Sequence, residues 1–251
     1  MAMKLLLDLG NTRLKWVLAD DRLGIVDALG HAGPDFLPAL EQRLRALPPV
    51  QSVHLVAVTA EALTTAVIEL VMRTVQSAHW PVRRHRSAAA AAGLRCAYAD
   101  PQRLGADRWL ALRGALKVSS PPLLVVNAGT ALTLDAVAAD GQHLGGLILA
   151  GIASMRDGLL QRAPHLDSAS TPPARDQFWT QDTLPAVAQA PWQAAAGLVE
   201  RGMRHLRTAA AIQPMVLLAG GDAEILAGLL DCEVRVEPNL VLLGLLEAAI
   251  E

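Results

Sequence analysis

The chain is poor in the residues that carry several common kinds of chemistry. Its 251 residues include two cysteines, Cys96 and Cys232, and neither has a second Cys or a His at ligand spacing. A disulfide framework and a zinc site are therefore excluded as organising features, and both thiols are expected to be reduced and packed. Aromatic residues make up 3% of the chain, too few for the stacking platform of a nucleic-acid binder. Charge of one sign is missing as well: 22 Lys and Arg stand against 24 Asp and Glu, a net −2, so no global field selects a polyanion and no nucleic-acid partner is expected. Despite a mean hydropathy of +0.31, no run offers the roughly 20 clean apolar residues of a spanning helix. The longest, Val118 to Leu134, is broken by Ser119, Pro121, Asn127 and Gly129. The start, MAMKLLLDLGN, has a short apolar run cut by Asp8 and lacks a secretory cleavage site, so a cytoplasmic location without membrane partners is predicted. Absent too are the GxxxxGK P-loop, GxGxxG, GxSxG and HExxH, and the mechanisms they serve drop out.

What is present is apolar and patterned. Hydrophobic residues make up 52% of the chain and charged ones 18%, which excludes disorder and suits one large domain or two lobes of roughly 100–150 residues each. Met3 to Leu7 is a continuous apolar run, residues 8–12 hold the turn formers, and Leu14 to Leu18 resumes an extended pattern, so a hairpin is predicted. The same grammar returns 119 positions later, from Asp8 to Asn127: Leu123 to Val126 is apolar, Asn127 to Ala131 turns, and Leu132 to Val137 leaves as a second strand. An offset near half the chain predicts two lobes of similar construction, 1–112 and 113–251. Helices are expected over Asp35–Leu47, Ala60–Ser77, Ala186–Ala210 with Pro191 near its start, and Leu240–Ile250, and buried strands over Val53–Val58 and Met215–Ala219. Residues 163–184, rich in Pro, Ser and Thr, read as a mobile loop, and Arg83-Arg84-His85-Arg86 as a solvated strand or loop edge.

Three glycine turns follow apolar strands, at Gly10, Gly129 and Gly220-Gly221, and a fourth motif is Gly105-Ala106-Asp107-Arg108. A Gly turn lets backbone N–H groups approach an anion, and Asn11, Thr12 and Thr130 add donors without charge. One such bend is ordinary hairpin chemistry. Two related bends in a duplicated fold can hold the phosphates of a nucleotide from two sides.

The segments DLGNTRLKW (8–16), AYADPQRLGADRWLA (97–111), NAGTALTLDAV (127–137), GGLILAG (145–151) and LAGGDA (218–223), with Pro238 to Leu245 in the tail, resemble the type III pantothenate kinases of the acetate kinase/sugar kinase/Hsp70/actin superfamily. The resemblance spans nearly the whole chain, and LGADR after a Tyr-x-x-Pro is its most specific piece. It implies an α/β fold of two ribonuclease H-like, actin-like lobes, each a mixed sheet with flanking helices, with nucleotide in the cleft between them. It implies ATP-dependent phosphorylation of pantothenate to 4′-phosphopantothenate, the first step towards coenzyme A. Asp8, Gly10, Asn11, Thr12 and Lys15 are implied for ATP phosphates and Mg2+, and Gly129, Thr130 and Thr133 for the other side of the phosphate chain. Gly220 and Gly221 would lie beside the adenosine. Tyr98, Gly105, Asp107 and Arg108 would face pantothenate, and Thr183 would reach it from the neighbouring subunit of a homodimer. Two departures stand out: Asn127 replaces the Asp that opens the family's second turn, where Mg2+ and a monovalent cation, K+ or NH4+, are implied, and the GGxIxPG pattern lacks its Pro.

Physical logic agrees with this assignment. Phosphoryl transfer to an alcohol needs an acceptor for the hydroxyl proton, in-line placement and neutralisation of the γ-phosphate, and Asp107 can supply the first. Read alone, Asp107-Arg108 is also an ordinary helix-start pair, and Lys15 an ordinary solvated charge. A nucleotide-binding accessory protein on the same fold, its turnover lost through Asn127, is the second reading. Phosphorylation of another small alcohol is opposed by Tyr98 and LGADR.

Overall fold

The computed structural model describes residues 3–166, 178–210 and 213–250. Along the chain the elements are β1 (Lys4–Leu9), β2 (Arg13–Ala19), β3 (Asp27–Gly30), α1 (Phe36–Arg45), β4 (Val50–Ala57), α2 (Glu61–Thr74), β5 (Ser77–Arg84), two short strands β6 (Ala90–Ala91) and β7 (Leu94–Arg95), a 3-10 turn (Pro101–Arg103), α3 (Ala106–Val118), β8 (Leu123–Ala128), β9 (Ala131–Val137), β10 (His143–Ala150), α4 (Ile152–Arg162), α5 (Thr183–Ala210), β11 (Met215–Ala219), α6 (Ala223–Ala227), β12 (Val234–Val236) and α7 (Leu240–Ile250). The centre of the predicted loop 163–184, residues 167–177, lies outside the described residues.

One strand order occurs twice. The sheets run β3-β2-β1-β4-β5 and β10-β9-β8-β11-β12, each an antiparallel meander of three strands continued by two parallel ones. The repeated strand, turn and strand of the sequence are the first hairpins of the two sheets. The chain forms two compact units, Met1–Ala92 with Tyr98–Lys117 and Leu240–Glu251, and Gly93–Ala97 with Val118–Asn239. Helix α7, placed in the second lobe by its position in sequence, packs on β1 and β4 of the first unit.

Side-chain alternation sorts the two faces of the first sheet. Leu5, Leu7, Leu9, Leu14, Trp16, Val53 and Leu55 join α1 through Leu40 and Leu44, and α2 through Val67, Leu70 and Val71, in one core. Register puts Leu6, Asp8, Val17, Lys15, His54 and Val56 on the opposite face. Helix α3 is buried at every residue from Arg108 to Ala115, and it meets α7 backbone to backbone. A Cβ at Gly114 would lie 2.0 Å from the Leu240 carbonyl oxygen, and one at Gly244 would lie 1.9 Å from that of Leu110. Glycine at both crossing points lets the helices touch, and the Lys117–Glu247 ion pair at 3.1 Å adds a polar tie.

In the second unit, Trp192, Ala195, Ala196, Val199, Met203 and Leu206 of α5 recur at helical spacing and pack on Leu124, Val126, Leu132 and Leu134. Pro191, expected near a helix start, lies inside α5, which begins eight residues earlier at Thr183. The proline gives up only the bond to the Val187 carbonyl, and buried Val187 and Trp192 on either side hold the helix together. Helix α2 ends at Thr74, where Val75 turns extended, and β5 carries Pro81 at the edge of its sheet, a position that tolerates a missing N–H. Cys96 and Cys232 are half-buried thiols outside any disulfide.

Two outcomes follow from this packing. Gly244→Ala forces a methyl group against backbone and is expected to cost about 1–3 kcal/mol or more, read by urea unfolding. His54, fully buried, shares hydrogen bonds of 2.9 Å with Ser52 Oγ and with His85 Nε2. Burial, then His85, Arg83 and Lys4, lower its pKa from 6.5 to about 4. Below pH 6.5 the unfolded chain binds a proton that the folded one refuses, so stability falls with pH until the folded value is passed. Between pH 6.5 and 4.5 the parent should lose about 2 kcal/mol more than His54→Asn; parallel urea curves for the two proteins would contradict this.

Candidate active site

The first turn closes the β1–β2 hairpin. Gly10 N donates to Arg13 O at 3.1 Å, and His31 braces the bend, its backbone N–H reaching Thr12 O at 3.1 Å and its ring Nε2 reaching Gly10 O at 2.9 Å. Asn11 and Thr12 stand exposed at the tip. Just below the bend, Asp8 and Lys15 are cross-strand partners. Asp8 keeps some accessible surface, yet burial raises its carboxyl to about 7 from an ordinary 3.8, with Lys15 pulling it down and Asp107 pushing it up. Desolvation lowers the Lys15 ammonium, against the pull of Asp8, and Arg13 lowers it further. The structure thus brings Asp8, Lys15 and Asp107 into one electrostatic group, although Asp107 lies almost one hundred positions away along the chain.

Asp107 arrives on the first turn of α3. Trp109 N donates to Gly105 O at 3.0 Å, opening the helix. A Cβ at Gly105 would lie 2.6 Å from Asp107 Oδ1, so the carboxylate folds back over the bare glycine. Arg108 is buried, and its Nη1 donates to Tyr98 Oη at 3.4 Å. Four residues expected around the acceptor, Tyr98, Gly105, Asp107 and Arg108, therefore do come together in the first unit.

The second unit repeats the bend with one residue fewer. Ala128 pairs with Leu132 where Leu9 pairs with Leu14, and Asn127 pairs with Thr133 where Asp8 pairs with Lys15. Both charges of that cross-strand pair are thereby replaced by neutral groups. Gly129 N donates to Ala131 O at 3.1 Å, while Thr130 O accepts from Gly151 N at 3.0 Å and Ser154 Oγ at 3.2 Å. Gly220, at φ +100°, lies so close to β8 that a Cβ would meet Ala128 O at 2.1 Å. Asp222 N donates to that same oxygen at 3.1 Å, which leaves the exposed Gly221 on the surface beside the turn. Gly129, Thr130, Thr133, Gly220 and Gly221 are thus neighbours, and Thr183 is instead the exposed first residue of α5. His31, Gly151 and Ser154 support the two bends and were not among the expected site residues; each lies in or beside a loop whose course no periodicity reports.

Among the described residues there is no group of three or more His, Cys, Asp or Glu able to hold a metal ion by itself. A single desolvated carboxylate such as Asp8 fits Mg2+, which takes one or two protein carboxylates and fills its shell with phosphate oxygens and water. Asn127 and Thr133 offer neutral oxygens only.

A family model described as type III pantothenate kinase matches residues 4–205. A type III pantothenate kinase of Stenotrophomonas maltophilia (strain K279a) is 37% identical over 246 residues, covering 98% of this chain and 96% of the relative. One of Xanthomonas campestris pv. campestris (strain 8004) is 40% identical over 228 residues, covering 90% and 88%. Among solved structures, a Baf family transcriptional activator from Campylobacter jejuni aligns with a TM-score of 0.56 at 21% identity, covering 96% of this chain and 94% of that one. MreB 5 of Spiroplasma citri bound to AMPPNP aligns at 0.55 and 9% identity, covering 100% and 97%. At such identities the structural likeness carries the fold alone, an actin-like ATPase architecture, which the twice-used strand order already describes. The sequence relatives carry more, since their likeness runs through both hairpins and the LGADR segment, and by it this chain belongs to the type III pantothenate kinase family.

Proposed function

We propose that the protein transfers the γ-phosphoryl group of ATP to the primary hydroxyl of pantothenate, giving 4′-phosphopantothenate. The observation that carries this reading is the placement of Asp107, folded over Gly105 at the head of α3 and in electrostatic reach of Asp8. Asp107 accepts the hydroxyl proton. A carboxylate suffices because in a loose transition state that proton leaves late. Arg108 and Tyr98 orient the acceptor through charge-assisted and neutral hydrogen bonds. The Gly10 bend, with Asn11, Thr12 and Lys15, receives phosphate, and Gly129, Thr130 and Thr133 do the same in the second unit. Gly220 and Gly221 present bare backbone to the adenosine. Asp8 holds Mg2+, which when bound neutralises charge on the phosphates.

The coarser parts of the reading extend to assembly and ions. A homodimer, with Thr183 of one copy completing the acceptor site of the other, is supported by β10, an edge strand whose Leu147 and Ile148 are 55% and 67% exposed. No helix among the described residues is long and apolar enough to cross a membrane, in keeping with work in the cytoplasm. Nothing in the fold or the comparisons favours the accessory-protein reading.

ADP release followed with and without pantothenate tests the activity; release that ignores pantothenate would refute it. Asp107→Asn should lower kcat about 100-fold or more with ATP binding little changed. Gly105→Ala meets only the movable tip of Asp107, so its melting temperature should stay near the parent's while kcat drops roughly 10–100-fold. Turnover of both variants within a few-fold of the parent would reduce Asp107 to a bystander.

Asn127 supplies the ion test. An amide accepts a hydrogen bond from metal-bound water but brings no charge. Asn127→Asp should therefore lower the half-saturating Mg2+ concentration and change the response to K+ or NH4+, leaving the apparent affinity for pantothenate almost unchanged. Overlapping Mg2+ titrations of the two proteins would show that position 127 never serves the metal.

A further inference from the structure

One cavity of the first unit is not used by this chemistry. It has a volume of about 240 Å3 and is walled by Arg84, His85, Arg86 and Arg103, with the segment from Gln102 to Ala106 forming another side. None of Tyr98, Asp107 and Arg108 lines it; it adjoins the acceptor site, meeting it at Gly105 and Ala106, and it also reaches Ala57 beside β1.

Its charge is unbalanced. No carboxylate lines the cavity. Arg84 is held by Glu61 through bonds of 2.7 and 2.9 Å, and Glu61 also feels the charge of Arg86, so Arg84, Arg86 and Arg103 at the wall share one neighbouring carboxylate. Arg86 and Arg103 have exposed side chains that line one space, and the chain segments that carry them are tied together. Ser87, buried next to Arg86, donates from Oγ to Leu104 O at 2.8 Å, and Gln102, next to Arg103, donates from Nε2 to Ser87 O at 2.6 Å. The two basic segments are thereby cross-tied, so an anion meets a backbone frame that is already in place. His85 turns its Nε2 inward to His54 Nδ1 at 2.9 Å, which fixes the ring at the wall.

We propose that this cavity binds the phosphate group of a small phosphomonoester. Three guanidinium groups against the single carboxylate of Glu61 leave an excess that matches a dianion, whereas a monoanionic carboxylate would balance only part of it, and the planar fork of Arg suits phosphate oxygens. The volume lies below the ~300 Å3 at which drug-sized sites begin, so a nucleotide is too large and a phosphate with a short organic tail fits. Because Gln102 to Ala106 leads directly into Asp107, occupancy stiffens the chain that presents this carboxylate. The binding claim goes beyond the kinase reading and does not depend on it.

Calorimetric titration with inorganic phosphate and, separately, with glycerol 3-phosphate tests the proposal. Saturating AMPPNP and Mg2+ are kept present throughout to occupy any nucleotide site. Saturable binding of glycerol 3-phosphate by the parent, weakened at least ten-fold in Arg86→Gln/Arg103→Gln, is the expected result, with inorganic phosphate as the simpler member of the same chemistry. Thermal melting checks that the double variant folds; if it does not, Arg103→Gln alone should weaken binding at least three-fold. The proposal is overturned by absence of saturable ester binding up to about 10 mM, by binding of inorganic phosphate with exclusion of the ester, or by equal affinity in parent and variant.

Discussion

The first unit buries the carboxyl of Asp8, with Lys15 pulling on it and Asp107 close enough to push back, and the fold holds it there. Asp8 is committed to its place by strand register, which puts it at the end of β1 on the face shared with Lys15, Val17, His54 and Val56. Asp107 is committed by α3, whose position is set by backbone contact with α7 at Gly114 and Gly244. Neither group can retreat without loss of packing. Lys15 offsets part of the charge, and burial of Asp8 makes the remainder expensive. A site that folds with a desolvated carboxylate is prepared for a further cation, and a second carboxylate nearby is prepared for a proton. That is the division of labour phosphoryl transfer to an alcohol requires.

Against this the second unit is informative because its architecture is the same and its electrostatics are not. Strand order is repeated, yet the pair at the hairpin end changes from Asp8 and Lys15 to Asn127 and Thr133, and the bend loses a residue. Backbone groups and hydroxyls remain at that bend, and the charged pair of the first hairpin has no counterpart there. The proposed chemistry therefore rests on the first hairpin, with the second proposed to hold phosphate.

Much of this could be read from the chain before folding. Strands such as Met215–Ala219 and helices such as Leu240–Ile250 coincide with apolar runs bounded by Gly and Pro, because local propensity and burial agree there. The LGADR segment and both hairpin bends were legible as motifs. What could not be read depends on contacts between distant segments. Gly114 and Gly244 look like costs inside helices until the helices cross at them, and α7 belongs to the first unit only through that contact and its packing on β1 and β4. Pro191 looks like a helix start because the packing that lets α5 run through it is supplied by the sheet. The basic run at residues 83–86 is the solvated edge its composition predicts, with Arg83 and Arg86 exposed on and just after edge strand β5, while the cavity that Arg84, His85 and Arg86 share with Arg103 depends on a contact between separate segments.

The most direct test of the central claim is the affinity for ATP, measured by calorimetry with and without Mg2+, in the parent and in Asp8→Asn. The account predicts that Mg2+ strengthens ATP binding by the parent and that Asp8→Asn loses at least ten-fold of the Mg2+-dependent part while binding metal-free ATP as well as or better than the parent, since a negative charge near the phosphates has been removed. Equal Mg2+ enhancement in both proteins would contradict it, because the desolvated carboxylate would then have no metal to hold.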